Sequence, residues 1–286
     1  MNTKFIALFI GLVITVVGIY CVFGLPRVGE PEIPNSAQAI ANGDYLYNAA
    51  GCASCHQTDG AAGPTGGYEI ESPFGGSFFT PNITPDEETG IAGWSGRDFL
   101  LAIKHGRSPT GQFYWPAFPY RSYEGMTDED VLDIAAYMLT LLPINSETPG
   151  HELPVWQFSW MMSGWNIMAD ILEGDPEAVG NDEQVQRGAY LAKSVSHCGE
   201  CHTPRNALGI SDFSNEFAGQ EGVASFAITS DGLGAYTYED FVFFLEDGLT
   251  ASFEPVGGEM LKVIEHTKNL TQEDREALAA FFFREE

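Results

Sequence analysis

Positive charge is scarce in this chain of 286 residues. Only 13 Lys and Arg stand against 40 Asp and Glu, which gives a formal net charge of -27. Because phosphate binding needs clustered cations, this balance argues against nucleic acid as a partner. Two interpretations of the acidic surface stay open, namely solubility and attraction of a basic partner protein.

The chain also has few strand-like patterns. No alternation of polar and apolar residues reaches the length of its helical patterns, so an all-α fold is predicted. Its length exceeds the roughly 100 to 200 residues of one typical domain, which indicates two compact units. The apolar fraction of 44% is sufficient for real cores, and 32 glycines indicate much irregular, tightly turning backbone.

One segment lacks charge altogether. Phe5 to Leu25 is an apolar run of 21 residues, about the length that crosses a hydrocarbon core as a helix. It predicts an uncleaved membrane anchor over residues 1–28. A cleaved signal peptide is the alternative, but its apolar region usually spans only roughly 7 to 15 residues. Lys4 and Arg27 flank the run and give little indication of its orientation.

The rest of the chain contains an internal repeat. Residues 42–46 read NGDYL and residues 187–191 read RGAYL, and each stretch precedes a Cys-x-x-Cys-His motif. Further on, Thr127 and Thr271 each begin a helical pattern with acidic residues in its first turn, as helix N-caps do. Loops such as 57–93 exceed the ~12 to 15 residues usual in compact domains. A large prosthetic group would organise them.

Four of the five cysteines belong to the two motifs, Cys52-Ala53-Ser54-Cys55-His56 and Cys198-Gly199-Glu200-Cys201-His202. This pattern is the attachment signal for c-type haem, in which two thiols form thioethers and the histidine binds iron. A zinc site shared by both pairs and a redox dithiol are the alternatives. Two copies at matched places in a repeat favour two covalently bound haem c groups, with His56 and His202 as axial ligands.

Methionine is the expected sixth ligand of an electron-carrying haem. Met126 and Met260 both precede the last helix of their half of the chain and are the predicted ligands. The two positions are not equivalent, because the region matching Met260 holds Phe118 in the first half, and Met126 matches Leu270 in the second.

With these motifs the chain resembles the dihaem cytochrome c proteins related to the cytochrome subunits of bacterial membrane-bound alcohol, gluconate and aldehyde dehydrogenases. The resemblance covers nearly everything after the predicted anchor. It rests on both haem motifs and on four further stretches: residues 82–94, residues 116–126, Thr127 to Asp130, and Thr203 to Arg205 after the second motif. It implies electron transfer from a dehydrogenase to quinone, a cytochrome or a terminal oxidase.

The predicted architecture is an N-terminal transmembrane helix followed by two tandem class I-like cytochrome c domains. The predicted boundaries are 1–28 for the anchor, 29–142 for the first domain, 143–181 for the connecting segment and 182–286 for the second domain. Trp94 and Tyr120 are candidate donors to haem propionates, or else aromatic core residues. Arg205 is a third candidate, or else a partner of the abundant carboxylates.

The predicted function is a membrane-anchored periplasmic relay of single electrons in a respiratory chain, crossing the inner membrane once. Haem attachment of this kind takes place outside the cytoplasm. The donor is a dehydrogenase or respiratory complex, and the acceptor is a cytochrome, quinone or oxidase. The alternatives are a dihaem enzyme of peroxidase or thiosulfate-oxidising type with one exchangeable axial ligand, and a fixed wiring subunit of a larger complex.

Overall fold

The computed structural model describes residues 3–23, 26–220 and 226–284, and within them the predicted all-α fold is confirmed. The elements up to residue 142 are α1 (Thr3–Phe23), α2 (Ala37–Ala49), α3 (Cys52–His56), β1 (Glu69–Glu71), β2 (Ser77–Phe79), α4 (Gly96–His105), α5 (Tyr120–Tyr123) and α6 (Asp128–Met138). The later helices are α7 (Met161–Leu172), α8 (Glu183–Tyr190), α9 (Gly199–His202), α10 (Tyr238–Asp247), α11 (Met260–Thr267) and α12 (Gln272–Phe282). We call residues 29–142 the first half and residues 182–286 the second half.

Side-chain caps begin the main helices of both halves. The predicted caps Thr127 and Thr271 are confirmed, each accepting a hydrogen bond from the backbone N–H three residues later. Ser95 and Thr237 form capping boxes with the aspartates of the first turn in α4 and α10. Because such caps satisfy backbone N–H groups that lack partners within the helix, they determine where these helices start.

A glycine brings the first and last helices of each half into close contact. At Gly43 in α2, a β-carbon would lie 1.9 Å from the backbone carbonyl oxygen of Asp133 in α6. At Gly188 in α8, it would lie 1.9 Å from the carbonyl oxygen of Ala277 in α12. The missing side chain is therefore what allows the two helices to cross at this separation, in both halves.

The long loop of the first half contains a short antiparallel hairpin that the sequence pattern does not predict. Residue Ile70 in β1 pairs with Phe78 in β2. Ser77 also exchanges two backbone hydrogen bonds with Glu152 of the connecting segment, at 2.8 and 2.9 Å. We expected a prosthetic group to organise this loop. Backbone pairing also orders part of it.

The connecting segment contains the helix α7, which contacts both halves. Asn166 accepts a hydrogen bond of 2.8 Å from the hydroxyl of Tyr120 in the first half. Trp165 donates its indole N–H to the carbonyl of Leu208 in the second half at 2.9 Å. The predicted connecting helix therefore lies against both units.

At the N-terminus, α1 contains many exposed apolar side chains, among them Phe5 and Leu8. Within the described part of the chain, no helix meets the requirements of length and hydropathy for crossing a membrane. The predicted anchor over residues 1–28 includes residues 1, 2, 24 and 25, which lie outside the described residues. The anchor therefore stays a prediction.

Replacing the crossing glycine should destabilise the protein. In Gly43→Ala the added methyl group meets backbone rather than a flexible side chain, so we expect the free energy of unfolding to fall by about 1–3 kcal/mol. Urea denaturation followed by circular dichroism measures this change. Gly164→Ala in α7 is the matched control, because nothing lies within 4 Å of its β-carbon position. Equal stability of the two variants would contradict the close crossing.

Candidate functional site

Each haem-attachment motif lies at a very short helix that follows the first helix of its half. In the second half a π-helical turn, Leu191–Val195, separates the two helices. The residue before the first cysteine has a left-handed backbone in both cases, Gly51 with φ 64° and His197 with φ 40°. In the first half the hydroxyl of Tyr123 donates to the carbonyl of Ala50 at 3.1 Å. The same turn therefore redirects the chain into the motif in both halves.

The first cysteine of each motif is more buried than the second. Cys52 and Cys198 are partly buried, and burial raises the pKa of each thiol to about 12. A reactive dithiol requires the opposite direction of shift. Among the described residues, no group of three or more His, Cys, Asp or Glu side chains could hold a metal ion. The raised pKa of these thiols therefore gives no support to the redox-dithiol alternative.

Both motif histidines are oriented in the way that an axial ligand of haem requires. Nδ1 of His56 lies 2.8 Å from the carbonyl oxygen of Pro81, and Nδ1 of His202 lies 2.5 Å from that of Phe226. A carbonyl can only accept, so Nδ1 must donate and Nε2 keeps its lone pair. Burial lowers the pKa of both imidazoles, which favours this neutral form. The residues present therefore fit a haem iron bound through Nε2.

The predicted sixth ligands lie in different surroundings. Met260 is the first residue of α11 and is partly buried. Met126 is only 2% exposed and belongs to the hydrophobic core, as does Leu270 at 4%, its counterpart in the second half. Both ligand assignments stay predictions at this point.

The three candidate propionate contacts all have protein neighbours. The hydroxyl of Tyr120 donates to α7, as described above. Arg205 forms an ion pair with Glu200 and donates to the carbonyl of Gly209 at 2.9 Å. The ring of Trp94 lies 5.3 Å from that of Phe99. Their predicted roles toward haem stay predictions.

Two tyrosines join the halves in a reciprocal manner. The hydroxyl of Tyr45 in α2 donates to the carboxylate of Asp274 at 2.5 Å and accepts from the backbone N–H of Thr271 at 3.2 Å. In the opposite direction, the hydroxyl of Tyr190 in α8 donates to the carboxylate of Asp130. Each half thus inserts the same residue of its repeat into the helix start of the other half.

The electrostatics of these contacts favour neutral tyrosine in both of them and an ionised carboxylate at Asp274. Burial, followed by the bond to Asp274, raises the pKa of Tyr45 to about 12, and Tyr190 is raised to about 12 for the matching reasons. At Asp274 burial opposes ionisation, but hydrogen bonds from Arg187 and Tyr45 outweigh it and lower the pKa. Both tyrosine hydroxyls therefore keep the proton that they donate at neutral pH.

The motifs themselves also lie at this junction. Ser54, in the middle of the first motif, contacts His266 of the second half through its hydroxyl. Glu200, in the middle of the second motif, accepts a 2.5 Å hydrogen bond from Ser122 of the first half. Burial raises the pKa of Cys55 and also that of Cys201 in the other motif. The structure therefore brings the two attachment motifs to one shared interface.

The sequence pattern does not predict which residues form this interface. Tyr45 and Tyr190 occupy the same place in the repeat, which is the one signal that could have identified them. His266 and Ser122 carry no such signal, because their partners lie 212 and 78 positions away in the sequence.

Comparison with known proteins agrees with the geometry of the motifs. A family model described as cytochrome c matches residues 40–142. A protein named dihaem cytochrome c-type from Cereibacter sphaeroides is 36% identical over 276 residues, covering 91% of this chain and 90% of that protein.

Two dehydrogenase subunits are also similar. The fructose dehydrogenase cytochrome subunit of Gluconobacter japonicus is 37% identical over 255 residues, which are 83% of this chain and 51% of that subunit. The gluconate 2-dehydrogenase cytochrome c subunit of Pantoea cypripedii is 32% identical over 260 residues, 85% of this chain and 58% of that subunit. The chain therefore spans little more than half the length of these two relatives.

Removing the two tyrosine hydroxyls should weaken the junction between the halves. We expect Tyr45→Phe and Tyr190→Phe each to lower the free energy of unfolding by about 1–2 kcal/mol, because a buried acceptor loses its donor. Separate sites should give nearly additive losses in the double variant. The control is Tyr236→Phe, because Tyr236 contacts Phe241 and Phe244 through its ring, which this substitution keeps. Urea denaturation tests this, and a double variant as stable as the control would contradict it.

Proposed function

The chain belongs to the cytochrome c family, and on that premise we propose that it is a dihaem electron carrier that relays single electrons between a dehydrogenase and a respiratory acceptor. The observation that supports this most directly is the shared interface of the two motifs. Ser54 contacts His266 across it, and Ser122 donates to Glu200 across it. An electron passing between two haems attached there would not have to leave the protein.

The motif residues hold the prosthetic groups in this proposal. Cys52, Cys55, Cys198 and Cys201 provide the thioether links, and His56 and His202 provide the axial imidazoles. When bound, haem c supplies reversible one-electron oxidation and reduction of its iron. The carbonyls of Pro81 and Phe226 keep each imidazole in the correct tautomer and orientation.

We propose a dehydrogenase as the electron donor, because cytochrome subunits of fructose and gluconate dehydrogenases are among the relatives. The proposed acceptor is a quinone, a cytochrome or a terminal oxidase. The net charge of -27 favours a basic docking surface on at least one partner. Such binding weakens as salt is added, because ions screen exposed charges.

We further propose that the chain functions in the periplasm, attached to the inner membrane by residues 1–28. Covalent attachment of haem to Cys-x-x-Cys-His motifs belongs to compartments outside the cytoplasm. The uncharged run from Phe5 to Leu25 has about the length that a membrane helix needs.

Replacement of residues 1–28 by a cleavable export signal tests the anchor. We expect the full chain in the membrane fraction and the truncated chain in the periplasmic extract, because about 20 apolar residues are the proposed source of membrane affinity. Cell fractionation with immunoblotting measures this distribution. Retention of the truncated chain in the membrane would contradict the proposed anchor.

Haem content tests the central proposal. The native chain should contain two covalent haems, measured as the ratio of pyridine haemochrome to protein. The double variant Cys52→Ala/Cys55→Ala should retain one haem, and so should Cys198→Ala/Cys201→Ala. Cys21→Ala is the matched control, because it removes the one cysteine outside the motifs and should leave both haems.

The same samples report electron transfer. A potentiometric titration of the native chain should resolve two one-electron steps, and each double variant should lose one of them. A native chain with fewer than two haems, or with two haems that do not accept electrons reversibly, would overturn the relay.

A further inference from the structure

The two halves differ at the place where a second axial ligand would come from. We infer that the first half supplies no side chain to the sixth coordination position of its iron, so that this position binds a small neutral exogenous ligand of the diatomic class. The inference rests on the proposed function, because it requires a haem on each motif. Its evidence is the residue-by-residue correspondence between the halves.

The two halves can be matched residue by residue on the N-terminal side of the loop that contains Met260 in the second half and Phe118 in the first. Gly106 and Gly248 both end a helix with a left-handed backbone, at φ 57° and 72°. The carbonyl of Gly106 accepts from the N–H of Tyr114 at 2.7 Å, and that of Gly248 accepts from the N–H of Val256 at 2.8 Å. Counted forward from these two matched bonds, the position of Met260 corresponds to Phe118.

The two halves can also be matched on the C-terminal side of this loop. A β-carbon on Gly106 would meet the ring of Tyr120, and one on Gly248 would meet the side chain of Ile264. Tyr120 and Ile264 are both buried, at 4% and 8% exposure, so they occupy the same place in the two halves. The loop between the fixed points is therefore 115–119 in the first half and 257–263 in the second, two residues longer.

These loops differ in the ligands that they offer. The second contains Met260, whose thioether is a usual partner for a histidine-bound haem iron. The first reads Trp-Pro-Ala-Phe-Pro and contains no Met, His, Cys or Lys. No side chain of the first loop is a usual ligand of haem iron. The loop therefore offers no counterpart to Met260, whichever residues of the second loop are taken as the two extra ones.

Met126 does not replace the missing ligand. It lies immediately before the N-cap of α6, as Leu270 lies immediately before that of α12. Both side chains are in the hydrophobic core, at 2% and 4% exposure. Since leucine fills the position in the second half without any donor atom, we assign Met126 to core packing instead of the ligand role predicted from the sequence.

The histidines outside the motifs all have protein neighbours in the described structure. They are His105 beside Glu124, His151 accepting from the N–H of Phe79, His197 at the carbonyl of Ala50, and His266 at Ser54. None of these histidines lies in the loop 115–119.

The surroundings of Phe118 indicate which ligand the open position would take. The ring of Phe118 lies 6.1 Å from that of Tyr114 and 5.6 Å from that of Tyr123, and the hydroxyl of Tyr123 already donates to a backbone carbonyl. Phe118 also lines a cavity with Arg121 and Arg205, and carboxylates pair with both of these guanidinium groups. An aromatic wall whose neighbouring cations are neutralised in this way offers little to stabilise an anion. It favours a neutral diatomic molecule such as carbon monoxide or nitric oxide.

Carbon monoxide binding to the reduced full-length protein tests the inference. We expect one carbon monoxide per chain, measured by optical titration against a haem content determined on the same sample. Met260→Leu should raise the number to two, because it removes the sulfur of the second site. Met126→Leu should leave it at one, because this variant only copies Leu270.

A second readout follows from restoring the missing donor. Phe118→Met should lower the number of bound carbon monoxide molecules to zero and add a sulfur-to-iron charge-transfer band to the ferric spectrum. Absence of both changes would overturn the correspondence between Phe118 and Met260.

The native chain gives the decisive outcome without any substitution. Two haems that bind no carbon monoxide would overturn the inference and leave the relay standing. A rise from zero to one in Met126→Leu would identify Met126 as the ligand and also overturn it. Fewer than two haems would overturn the relay itself, so the two failures are distinguishable.

Discussion

The close crossing of two helices at a glycine is the constraint on which the rest of each half depends. Gly43 and Gly188 allow the first helix to lie against the backbone of the last helix, at a distance that any β-carbon would prevent. The attachment motif begins shortly after this crossing, at a turn with positive φ. The crossing therefore fixes where the thiols and the imidazole emerge, although none of these groups takes part in it.

The junction between the halves uses the same two helices. Tyr45 projects from the first helix of one half to the start of the last helix of the other, and Tyr190 makes the reciprocal contact. The carboxylate that each tyrosine contacts also lies in the first turn of a capped helix, near the positive end of its dipole. One repeated unit thus forms both the scaffold of each motif and the interface that brings the motifs together.

The features that could be predicted from the sequence are those that depend on residues close together in the chain. The motifs are contiguous, and the caps at Thr127 and Thr271 act on backbone groups three residues away, so both can be read from a few adjacent letters. The hairpin could not be predicted, because strands of three residues are too short for an alternating pattern. The contact of Tyr45 with Asp274 joins residues 229 positions apart and depends on the tertiary fold.

Unequal environments on a repeated frame are what a directional relay needs. Two identical sites would have equal affinity for an electron, and nothing in the protein would bias its position. In this protein the glycine crossings and the tyrosine contacts occur in both halves. The loops 115–119 and 257–263, in contrast, differ in length and in available ligands. Ligation strongly influences the potential of a haem iron. The difference between these loops can therefore separate the two potentials while the interface between the motifs is preserved.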